Sequence, residues 1–174
     1  MTLTSRTKKT VALFFTSLAF AALSSLVTGC SSKQVMIVPN LSMAPTLQKG
    51  EKAMANFQAY RIVDPQIGDL AIFIPRNTRD LNWVFRVAAG PGDTLSYKDG
   101  ALQRNGITLS RPAPFEGQTY RAPKTQKKGL EMESPNTLGE NEYFFLSDNP
   151  NYTRDSRYWG PIDRSEIVGR LTNY

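Results

Sequence analysis

The sequence predicts an all-β domain built on a closed or partly closed antiparallel sheet. Three observations point there. Short runs rich in β-branched and aromatic residues recur after residue 33, separated by Gly, Pro, Asn and Asp. Two of the gaps, K-D-G-A at 98–101 and R-N-G-I at 104–107, have the form of tight hairpin turns. No stretch beyond the N-terminal segment keeps a helical apolar period over three turns.

The expected strands follow in order. QVMIV (34–38) and KAMANF (52–57) flank a Pro-containing loop that closes on Q-K-G-E. DLAIFI (69–74) follows the D-P-Q-I-G-D turn, and NWVFRVA (82–88) leads into G-P-G-D. TLSYK (94–98) and ALQR (101–104) are joined by the first hairpin turn. EYFFLS (142–147) and EIVGRL (166–171) complete the set. Between them, residues 108–140 carry four prolines and few adjacent apolar residues, which predicts a long excursion or small subdomain. Its K-T-Q-K-K-G cluster reads as a solvated loop.

The N-terminus is of a different kind. Arg6, Lys8 and Lys9 precede residues 11–27, which hold no charge. Seventeen residues rise about 26 Å as a helix, somewhat less than the hydrocarbon core of about 30 Å. Thr16, Ser17, Ser24 and Ser25 weaken the segment further. A basic start and a modest apolar stretch read as an export signal. The charges before the segment predict an exported C-terminal domain, periplasmic or extracellular. The segment ends in V-T-G-C, residues 27–30, which resembles the lipobox of bacterial lipoproteins. That resemblance implies lipidation of Cys30; an uncleaved signal anchor is the alternative. The expected organisation is therefore residues 1–30 as lipoprotein signal or anchor and 31–174 as the exported domain.

Composition closes off several function classes. The chain of 174 residues has no His and one Cys, so a His/Cys zinc cluster and an internal disulfide are both excluded. No acidic spacing suggests a carboxylate metal site, and no metal or cofactor is expected. Half of the net charge of +6 lies before the apolar segment. The remaining basic residues are diffuse and form no run interleaved with aromatics, so nucleic acid is not an expected partner.

Ser42 lies in P-N-L-S-M-A-P-T-L (39–47), on a segment stiffened by Pro39 and Pro45. Such a place can present a hydroxyl to a cleft. Three further boxes follow: I-G-D (67–69), F-R-V-A-A-G-P-G-D (85–93) and S-D-N-P-N-Y-T-R-D-S-R-Y-W-G-P (147–161). In this order they resemble the type I signal peptidases, Ser/Lys membrane endopeptidases, from about Val35 to Arg170.

The resemblance implies a β-rich catalytic core with an excursion, which agrees with the strand pattern. It implies Ser42 as nucleophile, with Met43 shaping the cleft and the Ser42 N–H donating to the oxyanion. Asn40 falls where the family often has a serine or another small donor; its amide can also donate. Thr153 falls at a hydroxyl that orients the general base. Asp155 and Arg157 resemble a supporting ion pair, and Asp148 has structural work. Ser147 replaces a glycine often found before D-N. The implied substrates are signal peptides or other extended exported polypeptides, paired along strand edges and read by pockets for small side chains. Membrane lipid is the other expected partner.

One departure is chemical. A serine nucleophile needs a proton acceptor, and without His the candidate is a desolvated lysine. In the family this lysine precedes the arginine of K-R-V-x-G-x-P-G-D. Counting back from Pro91, Arg86 meets that arginine and Phe85 meets the lysine. Phenylalanine takes no proton. The expectation is an impaired or inactive peptidase; the alternative is a non-catalytic lipoprotein that binds exported peptides or a membrane partner. A substitute base among Lys33, Lys49, Lys52, Lys98, the K-T-Q-K-K-G lysines, Asp148 and Asp155 would instead leave it active.

Overall fold

The computed structural model describes residues 33–76, 82–123, 135–152 and 154–173. The N-terminal segment with Cys30, the K-T-Q-K-K-G cluster and Thr153 lie outside these residues. Among the described residues, no helix is long and apolar enough to cross a membrane.

Strands form where alternation or apolar runs were read. They are β1 (Lys33–Ile37), β2 (Lys52–Asn56), β3 (Leu70–Phe73) and β4 (Trp83–Ala89). Next come β5 (Thr94–Lys98), β6 (Ala101–Arg104), β7 (Ile107–Thr108), β8 (Asn136–Thr137) and β9 (Glu142–Leu146). The chain ends with helix α1 (Ser156–Trp159), β10 (Ile162–Asp163) and β11 (Ile167–Asn173). The strands make a seven-stranded sheet in the order β1-β2-β11-β3-β4-β9-β10 and a four-stranded sheet in the order β7-β6-β5-β8. Their pairings are antiparallel.

Both predicted hairpin turns are present, for the expected reason. Asp99 and Gly100 take φ of 52° and 74°, and Asn105 and Gly106 take 52° and 78°. Positive φ at both central residues matches the strand twist, and Asp-Gly and Asn-Gly tolerate it best. The missed elements are short. Two-residue strands such as β7, β8 and β10 carry no readable alternation. Helix α1 depends on one cap: the Asp155 side chain accepts from the Arg157 N–H.

Each sheet has its own core. In the larger sheet all four residues of β3 are buried, together with Met43, Leu47, Phe85, Val87 and Phe145. In the smaller sheet Leu95, Leu102, Tyr120 and Leu138 pack with Ala89, Phe144 and Leu146. Parts of 108–140 are thereby stitched to the small sheet. β8 pairs with β5, Ala101 bridges Arg121, and Tyr120 and Leu138 enter its core. At the other end of the large sheet, edge strand β1 leaves Val35 and Ile37 exposed.

Gly169 is required by close approach rather than by a turn. It sits at a register shift between Ile167 and Gly169, where β11 meets β3. A Cβ there would lie 2.9 Å from the Asn56 carbonyl oxygen and 3.1 Å from the Phe57 Cα. Both are backbone atoms and cannot swing aside. Gly169→Ala is expected to lower stability by about 1–3 kcal/mol through overpacking, read as a shift in the urea midpoint at unchanged m-value. A midpoint equal to wild type would show that the two strands separate freely here.

Candidate active site

The serine segment is a compact loop after β1. The Ala44 N–H donates to the Leu41 carbonyl at 3.1 Å, and the Leu47 N–H to the Met43 carbonyl at 3.0 Å. Met43 and Leu47 are buried in the large core and anchor the loop from beneath. Ser42 itself is only 3% exposed. Its N–H donates to Asn40 Oδ1 at 2.9 Å. The backbone donor expected for an oxyanion is thus engaged by Asn40, whose side-chain oxygen acts as acceptor. The Ser42 Oγ makes no hydrogen bond with any described residue.

A second loop is tied to this one. The Asn149 N–H donates to the Ser42 carbonyl at 3.1 Å, and Asn149 Nδ2 to the Leu41 carbonyl at 2.8 Å. Thr46 Oγ1 donates to Asp148 Oδ2 at 2.6 Å. Asp148 is fully buried, and Arg86 grips both of its oxygens, Nε to Oδ1 at 2.8 Å and Nη2 to Oδ2 at 2.5 Å. Arg86 Nη1 donates onward to the Gly68 carbonyl at 2.8 Å. The four sequence boxes therefore join in one network around Asp148 of the fourth: Thr46 from the first and Arg86 from the third bond its carboxylate, and Gly68 from the second accepts from Arg86. A bidentate, charge-assisted pair fixes direction as well as distance.

Asp155 and Arg157 form the second ion pair, Nε to Oδ1 at 2.8 Å and Nη2 to Oδ2 at 2.7 Å, with both side chains buried. Burial pulls against the charge on Arg157, but the hydrogen bonds and charge of Asp155 raise its pKa on balance. Ser147, which stands where glycine was expected, is drawn into this network. Its Oγ donates to the Tyr152 carbonyl at 2.7 Å and lies 2.9 Å from Asp155 Oδ2, which also accepts the Ser147 N–H at 3.0 Å. The serine adds bonds that a glycine lacks.

Phe85 is 1% exposed. Four rings surround it, those of Phe73, Trp83, Tyr152 and Trp159, at centroid distances of 5.9, 6.1, 6.0 and 6.2 Å. Tyr152 connects this cluster to the serine loop, since its N–H donates to the carbonyl of Asn149 at 3.1 Å. The described lysines are elsewhere in character: Lys33, Lys49, Lys52 and Lys98 are all exposed.

The signal peptidase, peptidase S26 family matches residues 7–174. The chain belongs to the signal peptidase family. It is 34% identical over 143 residues to thylakoidal processing peptidase 1 of Arabidopsis thaliana, a match covering 76% of this chain and 39% of that protein. A probable signal peptidase I-1 of Synechocystis is 29% identical, covering 76% of this chain and 65% of its own. Signal peptidase IB of Staphylococcus aureus is 28% identical over 172 residues, 95% of this chain and 89% of that one. A crystal structure of signal peptidase I from Enterococcus faecalis is 32% identical, covering 64% of this chain and 99% of that one at a TM-score of 0.45. The match thus spans 39% and 65% of the plant and cyanobacterial relatives. The antiparallel core with little helix matches a signal-peptidase-like fold.

Sequence reasoning named Ser42, Asn40, Met43, Phe85, Arg86, Asp148, Asp155 and Arg157 as site or support residues, and most of these fall into the two stitched loops. It gave Thr46 and Gly68 no role beyond completing their boxes. It passed over Arg111, which is 5% exposed and donates from Nη1 to the carbonyls of Ser147 and Asp148 at 3.2 and 3.4 Å. Nothing local in R-P-A-P marks that arginine for burial.

Proposed function

We propose that this chain is a signal-peptidase-like domain that keeps the cleft for extended exported peptides but has lost most or all catalysis. The observation that carries this is the pairing of a retained scaffold with a filled base position. The four boxes still join in one network around Asp148, yet Phe85 is sealed among four rings. In this reading Ser42 holds the nucleophile position, and Phe85 stands where a lysine would take its proton. The Asn40 acceptor on the Ser42 N–H supports the same reading, because an oxyanion must compete with it for that donor. Thr153 is assigned the orienting hydroxyl, and Phe85 stands at the position of the base it would orient.

The test uses the full chain in neutral detergent with a fluorogenic signal peptide carrying small residues before the cut. The expected result is cleavage indistinguishable from Ser42→Ala, together with saturable binding of the uncleaved peptide. Cleavage that vanishes in Ser42→Ala would falsify the loss of catalysis and require another base. Absence of peptide binding would favour a domain whose cleft is vestigial.

We further assign the domain to the exported side of a membrane, held through a lipid on Cys30. The V-T-G-C ending and the brevity of the uncharged segment support the lipid over a spanning anchor. Palmitate labelling in cells is expected to mark the native protein and not Cys30→Ala. Equal labelling of both, or of neither, points instead to the uncleaved anchor.

A further inference from the structure

A cavity of about 510 Å³ opens beside the excursion, lined by Arg111, Arg121, Arg154 and Arg157 together with Pro150 and Tyr158. Among the described residues no acidic side chain lines it. Among the described residues, Arg157 alone of the four cations has a carboxylate partner, Asp155. Arg121 donates to the Asp99 carbonyl at 3.0 Å, and the Arg154 guanidinium lies 5.8 Å from the Tyr158 ring centroid. Arg111 is the unusual member, because it is nine-tenths buried and its bonds run only from Nη1 to two carbonyls. Its Nε and Nη2 have no hydrogen-bond partner among the described residues. The Tyr120 ring holds Arg111 at 4.3 Å and Arg157 at 5.3 Å, so two guanidiniums share one aromatic ring.

The unpartnered nitrogens of Arg111 are not sealed from solvent, so a ligand in the cavity can reach them. Desolvation lowers the pKa of Arg111, and the charge of Arg157 presses the same way against the contributions of Tyr120, Asp155 and Asp148. Buried cations are ordinarily paired. Guanidinium forks match the oxygens of a phosphate in spacing and plane, and several converging on one space give it both charge and direction.

We propose that this cavity is a binding site for a phosphate group, held by Arg111 from within and by Arg154 and Arg121 at the mouth. The bound group completes the donors of Arg111. Through the Arg111 bonds to Ser147 and Asp148 it also braces the loop that hydrogen-bonds to the serine segment. The phosphate is either free or carried on a lipid headgroup, and the chemistry is common to both.

The experiment uses the full chain in neutral detergent. Melting is followed in sodium phosphate and in sodium chloride at equal ionic strength. Phosphate at ten times its dissociation constant is expected to raise Tm by about 5 °C. Arg154→Gln is expected to weaken phosphate about tenfold, the loss of one charge-assisted bond. Arg61→Gln removes the same charge from an exposed position outside the cavity and should leave phosphate affinity unchanged. Arg111→Lys keeps the charge without the fork, and if folded it should bind at least tenfold more weakly. Mixed micelles of phosphatidic acid against diacylglycerol identify the source. Stabilisation by phosphatidic acid beyond that by inorganic phosphate assigns a lipid headgroup, and stabilisation by inorganic phosphate alone assigns the free ion. Equal melting in phosphate and chloride, with no gain from phosphatidic acid, overturns the proposal. So does an Arg61→Gln loss as large as that of Arg154→Gln, which would mean diffuse charge only.

Discussion

Asp155→Ala is expected to lower the unfolding free energy by about 3–5 kcal/mol, the usual cost of removing one partner from a buried pair. The Arg157 guanidinium would be left 3% exposed with its charge uncompensated. Three further bonds disappear with the carboxylate. The Ser147 N–H loses its acceptor, the Ser147 Oγ loses its contact with Oδ2, and α1 loses its N-cap. Asp155→Asn keeps an acceptor oxygen but not the charge, and should fall between the two. Equilibrium urea unfolding of the full chain in detergent gives the comparison. A loss below about 1 kcal/mol, the range of exposed ion pairs, would show that water reaches this pair.

Phe85→Ala is expected to cost about 3–5 kcal/mol, because four rigid rings cannot close on the vacated space. Phe85→Leu refills most of it and should cost much less. Phe85→Lys has a distinct signature. Its ammonium would sit among Phe73, Trp83, Tyr152 and Trp159, where desolvation lowers its pKa below the unfolded value of about 10.4. Between the two pKa values the unfolded chain binds the extra proton, so stability rises with pH across that window. The penalty is greatest below the folded pKa and is relieved towards pH 10. Urea midpoints of Phe85→Lys relative to Phe85→Leu, taken from pH 6 to pH 10, should show this rise. A difference independent of pH would mean that the lysine escapes to solvent. Gain of peptide cleavage in Phe85→Lys, abolished by Ser42→Ala, would tie this position to the base.

The two networks have different consequences for the serine loop. Asp148 reaches it directly, through Thr46 and through the Asn149 bond to Ser42. Asp155 acts one step behind, by fixing Ser147 and the return of the chain into α1. A phosphate on Arg111 would press on the same stretch from the far side of Ser147 and Asp148. The loop carrying the expected nucleophile is therefore held by groups from well beyond its own sequence.

What the sequence by itself determined was the local structure and the family. Alternating and apolar runs placed β2, β3, β4, β5, β6 and β9 to within a residue or two, because strand pairing and burial act on consecutive side chains. Asp-Gly and Asn-Gly set both hairpin turns, because positive φ is a property of single residues. The ordered boxes named Ser42 and exposed the odd residue at 85.

Only the tertiary structure decided the rest. Thr46 and Asp148 are 102 positions apart and still share a hydrogen bond. The two-residue strands exist because neighbouring strands supply their partners. Asn40 became an acceptor because the bend of its loop points the Ser42 N–H at it. Arg111 is buried because the excursion folds back onto the small sheet, which no pattern around residue 111 encodes. These depend on sheet register and on which surfaces meet, and those are set by the summed packing of the whole chain rather than by any segment of it.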